Sequence, residues 1–519
     1  MSNNPIPKSF DYIVIGGGTA GCVIARRLAE DPSVSVCLVE AGPSDEGNDK
    51  ILQLSRWSEL LDSEYDYRYT ITHQPRGNSN ILHSRAKCLG GCSSHNSAIA
   101  FLAPDLDFTE WVSLGCRGWE PENVQKFYGK VREKITITPV REEDNALNKA
   151  FVDAGRNAGF PQIEFNTPEY QRNFSDCVGY LQVNANGPIR SSASVGYLHP
   201  IASLPKNLTV LTGVRVKRIL LDNSNRAVGI ETEIGVILSN EEMILCAGAF
   251  DSPRLLLLSG IGPSWHLREV GVQCKVHLPG VGSHLIDHPE GVIIWEINRP
   301  IPPKIRQKYE AALFATTQEG STSPDLMFHF GLEAFDMQTV PKGYPTASNA
   351  ISLTPNVTKA KSEGTVRLRS SDPSEPPLID FKYFTDPDGH DEAVMIEGIK
   401  LARKIANTEP LKDWIQQELA PGPSVQTDRE ISDYVRKTAN TVYHPAGTCK
   451  MGDPSKDKQA VVDSQLRVVG VKGLRVADAS VFPTMPTINP CITVMMIGEK
   501  CAEMVKEDRV KSKGTKSRL

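Results

Sequence analysis

The sequence predicts an α/β (α+β) fold in which a Rossmann-like nucleotide-binding domain is joined to a second domain, an antiparallel sheet backed by helices. The chain opens with a strand, a glycine-rich turn, a helix and a second strand within residues 10–42. Short alternating segments at 325–331, 349–355 and 364–370 precede helical periodicity at 391–407, a pattern typical of a helix-covered antiparallel sheet. The length of 519 residues also exceeds what a single core fills.

Composition favours a small-molecule enzyme over a nucleic-acid-binding or membrane protein. The formal net charge is −5, and no basic block precedes the last dozen residues, so no nucleic-acid partner is predicted. No apolar run reaches the roughly 20 residues of a membrane span, and residues 1–10 carry no apolar signal core. The eleven cysteines show no paired framework. We therefore expect a soluble protein with free thiols, no metal site and no membrane association.

The opening unit predicts a dinucleotide site. Residues 12–15 read as a buried strand, residues 22–28 as a helix and residues 34–39 as a second strand. Gly16, Gly18 and Gly21 allow a tight turn and a close backbone approach to a pyrophosphate at the helix N-terminus. Glu40 ends the second strand, where its carboxylate can accept from both ribose hydroxyls. The alternative is an ordinary glycine-rich turn.

Later segments return to this nucleotide-binding unit. Residues 243–246 read as a strand, Ser252 as the N-cap of a helix with Pro253 at its first position, and Gly260 as its end. Residues 208–245 read as an antiparallel meander, and the proline-rich stretch near residue 300 as a crossing between domains. The predicted division assigns 1–150, 191–289 and 441–508 to cofactor binding, 151–190 and 290–440 to the substrate domain, and 509–519 to a flexible tail.

Five motifs carry a family resemblance over nearly the whole chain. The opening fingerprint, "KCLGGCSSHNSAIAF", "GAFDSPRLLLLSGIGP", "YHPAGTCKMG" and "GLRVADASVFPTMPTINPCITVMMIGEKCA" occur in the order seen in glucose–methanol–choline (GMC) oxidoreductases. The chain most closely resembles the choline-oxidising members, through "GVGSHLIDHPEG", "TVYHPAGT" and "YFTDPDGHD". The resemblance implies the GMC fold, FAD as cofactor and a homodimer.

The resemblance also implies how FAD is held. His95 matches a histidine that is covalently linked to the flavin in choline-oxidising relatives, and such a bond would make the ring easier to reduce. The alternative is a neutral histidine hydrogen-bonded beneath a noncovalent flavin. The matches also assign Asn96, Asp478 and Pro490 to the cofactor, Asp478 near its phosphates and ribityl chain, although Asp478 could equally cap an Asx turn. The helix beginning near Thr493 would direct N–H groups toward the flavin.

Four residues are implied in the chemistry. An alcohol gives up hydride readily only when its hydroxyl proton is taken or stabilised, and His444 is the expected base. Asn489 would donate a hydrogen bond to the substrate oxygen. Ser97 would face the reactive edge of the flavin. The alternative is a buried serine whose hydroxyl forms its hydrogen bonds with the backbone. His329 matches a polar pocket residue, but a lone histidine on a strand is as often structural.

Choline carries a trimethylammonium head without an N–H, so its recognition needs a carboxylate and aromatic faces. Glu290 matches the expected carboxylate. The expected aromatic residues are Trp57, Tyr309, Phe335 and Tyr443, each of which taken singly could simply pack in a core. Tyr309 departs from the family pattern, which suggests tryptophan, and a tyrosine presents a weaker π face.

These features together predict an FAD-dependent oxidase that converts choline to betaine aldehyde and then to glycine betaine, with hydride passing to flavin N5 and dioxygen reduced to hydrogen peroxide. The alternatives are another GMC oxidase or dehydrogenase for a different amino or neutral alcohol, a hydroxynitrile lyase, and a noncatalytic flavin-binding protein. Glu290 argues against a neutral substrate. The terminal Ser517-Arg518-Leu519 approximates a peroxisomal signal, so the expected location is peroxisomal or, failing that, cytoplasmic.

Overall fold

Two sheets organise the residues that the computed structural model describes, which are 8–318, 320–321 and 323–516. A seven-stranded mixed sheet and an eight-stranded antiparallel sheet each carry helices. The predicted fold class is confirmed. The predicted domain boundaries stay a prediction, and the predicted signal at 517–519 lies outside the described residues. The tail predicted to be flexible from residue 509 instead continues the last helix as far as Lys516.

The first sheet contains the predicted strand–helix–strand unit. Its strands are Ser9–Ile15, Val36–Val39, Leu208–Leu211, Val216–Leu221, Ala227–Thr232, Gly235–Leu245 and Leu474–Val476. The strand Ser9–Ile15 lies parallel between Val36–Val39 and Gly235–Leu245. Every residue of Val36–Val39 is buried, as expected where both faces of a parallel sheet are covered.

The strand Gly235–Leu245 joins two kinds of pairing. Its last residues pair in parallel with Ser9–Ile15 and Leu474–Val476, while its first residues pair antiparallel with Ala227–Thr232. The meander predicted over 208–245 is therefore found only from residue 216 onward, because Leu208–Leu211 pairs in parallel with Val36–Val39. The alternation of apolar residues reports burial and does not identify the neighbouring strand.

The second sheet supplies the opposite wall of the site. Its strands are Cys177–Tyr180, Pro289–Glu290, Ile293–Ile297, Tyr309–Ala315, Leu326–Gly331, Ala350–Val357, Ile415–Ala420 and Asn440–Thr441. The helix His390–Ala406 packs against Ala350–Val357 through its buried apolar face, as predicted. The segment near residue 300 was wrongly predicted as a domain crossing, because it joins two strands of this sheet. Residues 365–367 pair with Leu378–Asp380 in a separate ribbon.

The remaining short strands form two-residue ribbons. They are Tyr69–Thr70 with Leu82–His83, Thr138–Pro139 with Gln182–Val183, Ala185–Asn186 with Ile189–Arg190, and Ile261–Gly262 with Val276–His277.

Helices cover both sheets. The α-helices are Gly21–Leu28, Asp49–Leu52, Asp105–Ser113, Pro121–Arg132, Ala146–Asn157, Pro168–Arg172, Ala193–Tyr197, Gly248–Leu258, Ser264–Glu269, His390–Ala406, Asp428–Thr438 and Cys491–Lys516. The 3₁₀ turns are Leu54–Leu60, Gly91–Ser94, Glu142–Asp144, Ile201–Ser203, Val340–Lys342, Leu411–Trp414 and Ala479–Val481. The helix Cys491–Lys516 packs against Gly21–Leu28 and Pro121–Arg132. None of the helices described is both long and apolar enough to span a bilayer.

The helix Gly248–Leu258 begins earlier than predicted. Ser252 lies inside it and is not its N-cap, because the Ser252 hydroxyl accepts from the backbone N–H of Ala247 and donates to Asp478. Pro253 inside the helix removes the N–H that would bond the Ala249 carbonyl, and the Thr448 hydroxyl donates to that oxygen instead at 2.6 Å. The proline is thus accommodated by a tertiary hydrogen bond.

Candidate active site

A long cavity lies where the parallel strands of the first sheet end and the second sheet begins. It starts beside Ile15, Val39 and Cys246 at the carboxyl ends of the parallel strands and extends to the second sheet. The predicted site residues that line it are Gly16, Gly18, Glu40, Trp57, His95, Asn96, Ser97, Glu290, Tyr309, His329, Phe335, Tyr443, His444, Asp478, Asn489 and Pro490. Gly21 lies beneath the cavity, against Gly16.

The glycines make room for a close approach of the backbone to a ligand. A Cβ atom on Gly21 would lie 1.9 Å from the carbonyl oxygen of Gly16, so only glycine allows the helix to pack so near the strand. Gly91, at φ +54°, would place a Cβ 2.6 Å from the Cα of Gly18. A Cβ atom on Gly18 would make only ordinary van der Waals contacts, the nearest at 3.7 Å. This arrangement fits a pyrophosphate at the start of the helix Gly21–Leu28.

Two buried carboxyl groups hold the loops at the same end of the cavity. Glu40 accepts from the backbone N–H of Gly17 at 2.8 Å and of Gly42 at 2.7 Å, and burial raises its pKa to about 7. These two bonds leave lone pairs for the ribose hydroxyls of a nucleotide. Asp478 accepts from the backbone N–H groups of Gly248 and Ser480, so it acts as a cap and lines the cavity as well. Burial raises the Asp478 pKa.

His95 follows the 3₁₀ turn Gly91–Ser94 and is buried at the cavity wall. Its Nε2 lies 3.1 Å from the carbonyl oxygen of Leu60, and burial lowers its pKa to about 4. The ring is therefore neutral at physiological pH and keeps a lone pair on one nitrogen, as a nucleophile needs. The neighbouring Asn96 side chain accepts from the backbone N–H of Ala98 and from Arg190, which fixes the turn.

His288 determines which nitrogen of His444 carries a proton. His288 Nε2 lies 3.1 Å from the carbonyl oxygens of both Thr358 and Pro486, so this nitrogen donates. Burial lowers the His288 pKa to about 4, and its Nδ1 therefore accepts, at 2.9 Å, from Nδ1–H of His444. The remaining lone pair of His444 is on Nε2, 3.4 Å from Nδ2 of Asn489. Burial and the neighbouring His288 lower the His444 pKa well below its usual value, which keeps this base unprotonated.

His329 continues the same chain of hydrogen bonds from the other side. Nδ2 of Asn356 donates to Nδ1 of His329 at 3.5 Å, and Nε2–H of His329 donates to Oδ1 of Asn489 at 3.2 Å. This bond orients the Asn489 amide so that its NH₂ group faces His444. Burial lowers the His329 pKa to about 4, so the ring is neutral. The structure thus joins the two predicted histidines through Asn489.

Asp287 anchors the segment that carries Tyr443 and His444. It accepts from the backbone N–H of His444 at 3.0 Å and from the hydroxyls of Thr441 and Tyr383, each at 2.6 Å. Burial raises its pKa, but His83 and these hydrogen bonds outweigh burial and lower the pKa overall, so Asp287 is ionised. Tyr443 adopts φ +63°, a left-handed conformation that costs on the order of 1 kcal/mol for a residue with a Cβ. The Asp287 contacts hold the backbone in that conformation.

Glu290 lies in the wall of the cavity together with the predicted aromatic residues. Its side chain is buried, and desolvation raises its pKa to about 8, although a hydrogen bond from Thr354 acts in the opposite direction. Tyr309 has the central ring, with centroid distances of 6.3 Å to Trp57 and 6.2 Å to Phe335. Burial removes water from this carboxyl group, and among the residues that the structure describes no cationic side chain lowers its pKa. A cationic ligand would supply the missing charge.

Sequence reasoning missed His288, Asp287 and Asn356. The first two lie in the same "DHPEG" motif as Glu290, so the motif offered a signal that was assigned to Glu290 alone. Asn356 offered no local signal, because its contact with His329 forms only through the pairing of Leu326–Gly331 with Ala350–Val357.

Comparisons with known proteins agree with this geometry. Two GMC oxidoreductase family models match residues 10–290 and 360–498. The chain is 47% identical to choline oxidase of Arthrobacter globiformis, covering 97% of this chain and 95% of that protein. It is 34% identical to mitochondrial choline dehydrogenase of Homo sapiens, covering 96% and 90%. The crystal structure of pyridoxine 4-oxidase from Mesorbium loti superposes with a TM-score of 0.86 at 28% identity, covering 95% and 98%.

Proposed function

Because the chain belongs to the GMC oxidoreductase family, we propose that it is an FAD-dependent oxidase that converts choline to betaine aldehyde and then to glycine betaine, with dioxygen as the acceptor. One observation carries the choice of substrate: the buried Glu290 carboxyl group shares a cavity wall with aromatic rings, and the same cavity contains His444 and Asn489. This arrangement supports the recognition of a positively charged head and of a hydroxyl group of the same substrate in one cavity.

The cavity fits FAD at its nucleotide end. The backbone of Gly18 at the cavity wall, the N-terminus of the helix Gly21–Leu28 and the Glu40 carboxyl group would hold the pyrophosphate and ribose. When bound, FAD supplies the hydride acceptor and the route by which two electrons reach dioxygen, giving hydrogen peroxide. The first residues of the helix Cys491–Lys516 also line the cavity, and their N–H groups favour negative charge there.

His444 takes the hydroxyl proton of the substrate at Nε2. That nitrogen has the lone pair because Nδ1–H is donated to His288. Nδ2 of Asn489 donates to the substrate oxygen as its negative charge develops, and His329 keeps the amide in that orientation. Ser97 lines the same cavity and can donate a further hydrogen bond. Hydrating the aldehyde product gives a carbon that bears hydroxyl groups and keeps its one C–H bond, so the same residues serve the second oxidation.

Glu290 binds the quaternary ammonium head at a distance from the base. The ionised carboxylate supplies the countercharge, and the rings of Trp57, Tyr309 and Phe335 supply faces worth about 1 to 2 kcal/mol each when water is excluded. A neutral alcohol would leave this buried carboxyl group without a countercharge, which disfavours neutral substrates. Tyr443 completes the wall next to His444.

We further propose that His95 is bonded to the flavin. The support is its position in the cavity wall, its neutral ring and its match to a flavin-linked histidine in the family that the chain resembles. The chain is also proposed to form a homodimer, on the family resemblance alone, and the molecular mass in solution tests that proposal.

Anaerobic mixing of the FAD-loaded protein with choline tests the proposed activity. We expect loss of the oxidised flavin absorbance, followed on admission of air by stoichiometric hydrogen peroxide and return of the absorbance. Bleaching without reoxidation by air would indicate a dehydrogenase. Bleaching by neutral alcohols and not by choline would overturn the substrate assignment. The variant Glu290→Gln should raise the KM for choline at least about 10-fold, since it removes the countercharge.

A further inference from the structure

Tyr309 is held by a second carboxyl group that the sequence motifs did not identify. Its hydroxyl donates to Oε1 of Glu333 at 3.0 Å. The other oxygen of the same carboxylate forms an ion pair with Lys308. Tyr309 is buried at the cavity wall, whereas Glu333 is partly exposed behind it. Glu333 therefore binds the hydroxyl end of a ring that lines the cavity, without lining the cavity itself.

Tyr309 has a central place among the aromatic rings. Besides Trp57 and Phe335, its ring lies 6.4 Å from that of His329. Glu333 precedes Phe335 by two residues, so its hydrogen bond also ties the strand Tyr309–Ala315 to the loop that carries Phe335. The hydrogen bond between Tyr309 and Glu333 therefore influences both the shape of the aromatic wall and the electrostatic field that the wall presents to the cavity.

A hydroxyl that donates to a carboxylate moves electron density toward its own oxygen and ring. The face of such a ring is more negative, which strengthens its attraction for a cation. The Tyr309 hydroxyl stays protonated and able to donate, because burial and then the neighbouring Glu333 and Glu290 raise its pKa well above the usual value. Lys308 orients the carboxylate, and its own ammonium is the more exposed partner and is screened by water.

We propose that Glu333 is a specificity-determining positioning residue that acts through Tyr309 to favour a quaternary ammonium head over an uncharged head of the same shape. This inference rests on the proposed choline-oxidising function. It explains how this chain offsets the weaker π face of tyrosine at a position where the related pattern has tryptophan. Glu333 is not among the residues that line the cavity, and its effect is transmitted through the phenol.

The experiment compares choline with its carbon isostere, in which a tert-butyl group replaces the trimethylammonium head. In Glu333→Gln we expect the KM for choline to rise about 3- to 10-fold while kcat stays within about 2-fold, and the KM for the isostere to stay within about 2-fold. The Kd for glycine betaine, measured from the flavin absorbance, should rise with the choline KM. Tyr309→Phe should show the same selectivity loss, and adding Glu333→Gln to it should have little further effect.

The controls separate this inference from simpler explanations. Glu397→Gln makes the same change on the exposed side of the helix His390–Ala406 and should leave both KM values unchanged. Equal losses for choline and isostere in Glu333→Gln would show a purely structural role and overturn the inference. A choline KM and an isostere KM that both stay unchanged in Glu333→Gln would overturn it as well. If the unaltered protein fails to oxidise choline but oxidises the isostere, the proposed function itself fails.

Discussion

Glu290 shows how burial sets the charge of a single residue in the site. It lies in a cavity with His329 and His444, whose imidazoles are kept neutral by the same loss of water. Desolvation raises a carboxyl pKa and lowers an imidazole pKa, because it penalises the charged form in both cases. The pKa of Glu290 is thereby raised to about 8, whereas burial lowers the pKa of both histidines.

This shift predicts the pH dependence of choline oxidation. A cation binds the ionised carboxylate, so kcat/KM for choline should rise about tenfold per pH unit below pH 7 and level off above about pH 8. His444 is already unprotonated throughout this range. Steady-state kinetics from pH 6 to pH 10 measure the profile. The carbon isostere should lack this rise, and Glu290→Gln should abolish it for choline; a rise that persists in this variant contradicts the assignment.

The turn before the helix Gly21–Leu28 shows how one element combines two requirements. Gly21 meets a steric demand of the fold, since its Cα lies against the backbone of Gly16. Gly18 lines the cavity, and a Cβ atom there would meet its nearest neighbour only at 3.7 Å, so its lack of a side chain serves the ligand and is not required by the packing. The same motif therefore contains one residue required for stability and one required for binding.

Two alanine substitutions should separate these roles. Gly21→Ala should destabilise the FAD-free protein by about 3 kcal/mol or more, because the added Cβ would overlap a backbone oxygen. Gly18→Ala should leave that stability within about 1 kcal/mol but weaken FAD binding in a His95→Gln background, where the flavin is free to dissociate. Urea unfolding and flavin fluorescence titration measure the two effects. Gly129→Ala, in a helix with open space around it, is the control and should stabilise slightly. Equal effects of Gly18→Ala and Gly21→Ala on unfolding would contradict this division.

At the scale of the whole molecule, the site exists only where the two sheets meet. Glu40 and Gly18 come from the first sheet and its turn, while Glu290, Tyr309 and His329 come from the second. A cofactor that spans this cavity binds the folded chain and not the unfolded one, so it stabilises the fold as a whole.

A bond between His95 and the flavin predicts how thermal stability responds to free FAD. In the unaltered holoprotein the melting temperature should be independent of added FAD, and the flavin should stay with the acid-denatured chain. In His95→Gln, each tenfold increase in FAD above its Kd should add about 1.4 kcal/mol to the free energy of unfolding. Differential scanning calorimetry measures the melting temperatures of the unaltered protein and of His95→Gln. The variant His73→Gln, at an exposed position, is the control. Release of flavin from the denatured unaltered protein would contradict the bond.

The sequence by itself determined the local elements and the chemistry of the groups available. Glycine spacing and buried apolar runs predicted the first strand, helix and second strand, and the period of residues 391–407 predicted the helix over the second sheet. The predicted catalytic and aromatic residues line one cavity, because the motifs that contain them occupy fixed places in the fold.

Only the tertiary structure decided the proton positions and the partners. His288 and His444 are 156 residues apart in the chain, and His329 and Asn489 are 160 apart, so no local pattern encodes either hydrogen bond. The pairing of Tyr309 with Glu333, and the place of Ser252 inside its helix, depend likewise on contacts with other elements. Local periodicity reports which face of an element is buried, whereas tautomers and pKa shifts depend on the atoms that surround a group once the chain has folded.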